Sequence, residues 1–101
     1  MIIVNAVVVT NKDNIQAMKN AIAKMEIASQ AEAGCADYTF SVELNNPNIL
    51  RITECWENMA ALTAHFQTTH MTEFQASMAA HPAEDMQVNF YEAVAVTPPG
   101  R

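Results

Sequence analysis

Glu54-Cys55-Trp56-Glu57-Asn58-Met59-Ala60-Ala61-Leu62-Thr63-Ala64-His65-Phe66-Gln67-Thr68-Thr69-His70-Met71-Thr72-Glu73-Phe74 reads as a strand that ends at Trp56 and turns into a helix. Alternation before Asn58 and helical spacing after it set an aromatic ring, two imidazoles and a carboxylate within about two turns of one corner. Asn58 is a suitable N-cap, and the ladder Leu62, Phe66, His70, Phe74, Met78 predicts one continuous apolar stripe. His81-Pro82 stops it, because a proline disfavours helical geometry in the residue before it.

Upstream, Ile2 to Thr10 is a β-branched run, followed by the turn and capping residues Asn11 to Asn14. A helix is expected from about Lys12 to Ala33, with Ile15, Met18, Ile22 and Met25 on its buried stripe and Gly34 ending it. Ala36 to Leu44 alternates as a second strand, Asn45 to Asn48 is the turn, and Ile49 to Trp56 returns antiparallel. Met86 to Val96 is the last strand. The order βαββαβ predicts a ferredoxin-like α+β fold, with two helices on one face of a four-stranded antiparallel sheet. Residues 1–97 are expected to form a single domain and 98–101 a short tail.

Composition removes several classes of function. At 101 residues and 50% apolar content the chain supports one packed domain. A formal charge of -6 with five Lys and Arg leaves no basic stripe, so neither nucleic acid nor an anionic membrane is an expected partner. The apolar run Met1 to Val9 lacks a basic flank and a cleavage site and reads as strand, not as signal. Cys35 and Cys55 show no zinc or disulfide spacing, which fits a reducing cytoplasm. With two glycines in the chain there is no dinucleotide or phosphate loop, and no cofactor or metal is expected.

The first strand is apolar on both sides, with Ile3, Val7 and Val9 opposite Ile2, Val4, Ala6 and Val8. Two helices cover only one side of such a sheet. The other side is therefore expected to pack against a second copy, giving a homodimer through the sheet face.

The run Ala31 to Tyr38, the Asn-Asn-Pro-Asn turn, and Glu54-x-Trp56 followed by Ala-Leu-x-x-His resemble the antibiotic biosynthesis monooxygenase superfamily over nearly the whole chain. The resemblance implies a dimeric α+β barrel. It also implies one of several activities: cofactor-independent oxidation of quinols or anthrones, heme degradation, or isomerisation of a phosphorylated autoinducer product. In anthrone-oxidising members a Trp stands where Trp56 stands, whereas their Asn and Tyr fall at Ile52 and Leu62. Heme-degrading members share an Asn at Asn5, but their Trp falls at His65. Tyr38 with Glu54, Trp56, His65 and His70 is similar to the quinol monooxygenase and autoinducer-isomerase branches.

The expected function is cofactor-free oxidation of a quinol, polyphenol or anthrone-like substrate, with the isomerase and a non-catalytic dimeric binding module as alternatives. His70 is the expected base, or else a core histidine with one hydrogen bond. Asn5, a carboxamide on an apolar strand, is either bonded to protein or turned toward a ligand oxygen. Trp56, Tyr38, Phe66, Phe74 and His65 are the expected substrate contacts. His65 and His70 lie about 140° apart on a continuous helix, which makes them poor joint metal ligands and gives His65 a surface position. Glu54 is read as structural.

Overall fold

The computed structural model describes residues 1–100; Arg101, the last residue of the expected tail, lies outside them. Strand β1 spans Ile2–Val9, helix α1 Lys12–Ala17, α2 Lys19–Gln30, β2 Cys35–Glu43, β3 Asn46–Trp56, α3 Met59–His65, α4 Thr69–Ala80 and β4 Asp85–Glu92. The strands order β2-β3-β1-β4 with every pair antiparallel, the ferredoxin-like α+β arrangement expected from the sequence.

Each expected helix is broken in two. The first divides at Met18, which is itself buried beneath the break. The second divides across Phe66 to Thr68. There the Thr68 hydroxyl donates to the His65 carbonyl at 2.7 Å and accepts from the Met71 amide at 3.3 Å. A threonine side chain that satisfies the backbone locally competes with a continuing helix, and it caps α4 as Asn58 caps α3.

The connections also differ from the expected bounds. The hairpin turn contracts to Leu44 and Asn45, because Glu43 already pairs with Asn46. Pro47 is accommodated in the irregular register that separates this pair from Val42 and Leu50. Helix α2 ends at Gln30, four residues before Gly34, which takes φ 80° in the turn to β2. A Cβ at Gly34 would lie 2.6 Å from that of Ala61, so both backbone angle and space require glycine. Strand β4 stops at Glu92 rather than Val96, since its partner β1 ends opposite it at Ile2.

Strand alternation divides the sheet cleanly. Val4, Ala6, Val8, Leu50, Ile52, Tyr38 and Trp56 face the helices and are buried with Met18, Met25, Leu62 and Phe74. The cover is uneven: Met86, Val88 and Phe90 stay 45%, 37% and 50% exposed, although register places them beside the buried residues of β1. The opposite face is mixed. Ile3, Val7 and Val9 are half-buried there, while register aligns Asn5 with Thr53 and Asn89, and Val7 with Arg51 and Gln87. Among the described residues no helix is long and apolar enough to cross a membrane.

Candidate functional site

The uncovered strip beside β4 is one wall of a cleft of about 450 Å³. Val4, Ala6 and Ile52 form its floor on the sheet, Met71, Phe74 and Met78 of α4 one side, and Met86, Val88 and Phe90 of β4 the other. Phe66, freed by the helix break, also lines it. The polar groups among these walls are Tyr38, Glu54 and Gln75. An apolar slot with few polar groups suits a small, flat, largely apolar molecule.

Glu54 is the one carboxylate of the lining and is 8% exposed. It shares a strand face with Trp56 two residues on, and its Oε1 accepts a hydrogen bond from the indole Nε1 at 3.0 Å. Burial pushes its pKa up, opposed by that bond and by the neighbouring His65. Tyr38 pairs with Glu54 across the β2–β3 ladder. Burial, and then the charge of Glu54, hold its phenol well above the ordinary range. The cleft thus presents a proton-seeking carboxyl next to a phenol that stays protonated.

A second group lies where α2, α3 and α4 meet. His65 Nδ1 and His70 Nε2 both hydrogen-bond to Glu32 Oε2, at 2.6 and 2.7 Å. His65 is 1% exposed, and its ring packs 4.7 Å from that of Trp56 and 5.3 Å from that of Tyr38. Tyr38 and Trp56 therefore stand between the two groups, each touching His65 on one side and either lining the cleft or bonding its carboxylate on the other. Among the described residues, Glu32, His65 and His70 also form a group that could hold a metal ion, their donor atoms lying within 4.8 Å of one another.

The sequence-expected site residues fall into three places. Tyr38, Phe66 and Phe74 line the cleft. Trp56 is fully buried, so it positions Glu54 instead of meeting a ligand. His65 is buried, not at the surface, and joins His70 at Glu32 instead of in the cleft, because the angle expected from a continuous helix does not hold across the break. Asn5 is exposed on the opposite sheet face, since β1 turns its even-numbered residues toward the helices.

Glu54 was read as structural, and Glu32 was not singled out. Glu54 carried a readable signal, a carboxylate in register with Ile52 and Trp56 on an apolar strand face. Glu32 carried almost none, since it lies in a turn that the helical pattern absorbed.

Comparison with known proteins places this fold. A crystal structure from Deinococcus radiodurans superposes with a TM-score of 0.87 over 97% of each chain at 22% identity. A conserved protein of Methanosarcina mazei superposes with a TM-score of 0.82 over 89% of each chain at 27% identity. An uncharacterized protein of Synechocystis is 39% identical over a 59-residue alignment that covers 55% of this chain and 40% of that protein's length. The sequence model of the antibiotic biosynthesis monooxygenases matches residues 1–77, and the chain belongs to that family.

Proposed function

We propose that the protein is a monooxygenase of electron-rich hydroxyaromatic substrates, quinols or anthrone-like compounds, with Glu54 as the base. The observation that carries this reading is the buried Glu54 carboxylate set into the wall of an apolar cleft, its pKa raised toward the range useful for proton transfer. Glu54 takes the substrate's acidic proton. The anion gives one electron to dioxygen, radical and superoxide combine to form the new C–O bond, and the peroxide is protonated by Glu54. Loss of water leaves the oxidised carbonyl product and the carboxylate restored. Gln75 is placed to orient a substrate oxygen, and Phe66 and Phe74 to pack on the ring.

The quinol branch is favoured over the isomerase of a phosphorylated compound. Among the described residues the cleft lining contains no Lys, Arg or His to hold a phosphate. The expected sheet-to-sheet homodimer belongs to the same reading, supported by the half-buried row Ile3, Val7, Val9 and Ile49 on the face that the helices leave open. A monomer mass by light scattering at low micromolar protein would remove that part.

The test is oxygen uptake with a panel of hydroquinones and anthrones. Uptake above autoxidation, reduced about 100-fold or more in Glu54→Gln and blocked when Val88→Trp fills the cleft, is the expected result. Unchanged turnover in Glu54→Gln would remove Glu54 from the reaction. No uptake with any substrate, alongside saturable binding of the same compounds, would make the cleft a binding site only.

A further inference from the structure

The Glu32 cluster is not used by the reaction proposed above, yet its construction is specific. Three separate elements converge on it: the turn after α2, the last residue of α3 and the first turn of α4. One carboxylate oxygen receives both imidazoles. We propose that Glu32 Oε2, His65 Nδ1 and His70 Nε2 bind one divalent transition-metal ion of the Zn²⁺ class.

The donor chemistry matches. Two imidazoles and a carboxylate form the donor set that holds Zn²⁺, Co²⁺ or Fe²⁺ while leaving positions for water. With bonds of about 2.0–2.1 Å, neighbouring donors of a tetrahedral ion stand roughly 3.3 Å apart. The two nitrogens now lie 2.6 and 2.7 Å from the shared oxygen, so spreading of about 0.6–0.7 Å admits the ion. His70 and Glu32 are 18% and 14% exposed, which gives the ion a way in and a wet side, while His65 anchors the site from within.

Charge and proton placement point the same way. Neither Glu32 nor Glu54 bonds a Lys or Arg among the described residues. A cation at Glu32 offsets that excess of negative charge. Both imidazoles turn one ring nitrogen toward the same oxygen, each through a hydrogen. An ion takes the place of those two hydrogens, and the ring proton of each histidine moves to the nitrogen facing away. The site lies across Tyr38 and Trp56 from the cleft, so the ion ties α2 to the α3–α4 junction and does not meet the substrate.

Chelator-treated protein titrated with Zn²⁺ by calorimetry, and with Co²⁺ by absorption and fluorescence, tests the site. Trp56 is the chain's one tryptophan and packs on His65, so bound Co²⁺ quenches it. The expected result is one ion per chain, quenching that saturates at one equivalent, and no thiolate charge-transfer band from the nearby Cys35. His70→Ala and Glu32→Gln each weaken binding by more than the roughly 10–100-fold that loss of an outer-shell partner costs. Cys35→Ala and Glu54→Gln retain the ion, and the second of these separates this site from the oxidation reaction. No saturable binding, or binding undiminished in folded His70→Ala and Glu32→Gln, overturns the proposal.

Discussion

Glu32 and Glu54 flank the same aromatic pair and are built for opposite ends. Glu32 accepts from two imidazoles at a half-open junction, whereas Glu54 accepts from a single indole at the wall of an apolar cleft. The residue type is the same. What differs is how many donors each neighbourhood supplies and what lies on the remaining side. A carboxylate that faces two imidazoles belongs to a donor set suited to holding a cation. A buried carboxylate with one donor and an apolar neighbour favours its proton and is suited to moving one. Tyr38 and Trp56 let both exist within one small domain by touching each group without joining them.

The largest expected effect comes from removing the shared element. Trp56 is 0% exposed, packs on Tyr38 and His65, and bonds Glu54. Trp56→Ala is expected to cost about 3–5 kcal/mol in urea unfolding, from lost burial and the cavity left behind. Trp56→Phe retains most of the ring and loses the N–H. Its smaller cost, about 1–3 kcal/mol, isolates the bond to Glu54. Equal costs for the two variants would show that the indole N–H, and not its bulk, holds the two groups apart.

Next is Glu32→Leu, measured in the presence of chelator. It strips both imidazoles of their acceptor at a junction where His65 has no access to water. The expected loss is about 1–3 kcal/mol, concentrated in the docking of α3 and α4 on the turn after α2. Thr68→Ala acts on the same histidines from the backbone side and is expected to cost about 1 kcal/mol, as loss of an N-cap does. If Thr68→Ala leaves amide exchange at the junction unchanged, its hydroxyl does not set the break that brings His65 and His70 together.

That break marks the limit of what was legible. Strand alternation, the Asn11 and Asn58 caps and the stop at His81-Pro82 identified every strand and the position of both helical segments. The interruptions were not legible, because Thr68 competes with the helix through side-chain bonds that hydrophobic spacing does not register. The three residues between α3 and α4 separate the two helices, with His65 buried at the end of one and His70 on Glu32 in the first turn of the other. Tyr38 and Phe74 keep the inward faces that alternation and spacing gave them, because apolar periodicity survives such local changes. Asn5 was misplaced for a different reason: β1 is apolar on both sides, so its pattern alone does not say which side the helices cover.

The finest distinction between the two carboxylates is how Glu54 changes stability with pH. Its pKa in the folded protein is raised above the ordinary 4.5, burial being the main cause. The folded state therefore binds this proton more tightly than the unfolded chain does. The resulting stability is complete below pH 4.5 and is lost as pH rises through the folded value. Glu54→Gln keeps an oxygen for the Trp56 N–H and has no proton to lose. The variant should therefore gain stability relative to wild type as pH rises from 4.5 toward 9.0, the ordinary value of Cys35. Denaturant midpoints for the two proteins across that window measure the difference directly. Parallel curves would mean that Glu54 titrates like an exposed carboxylate, and the contrast with Glu32 would then rest on hydrogen bonding alone.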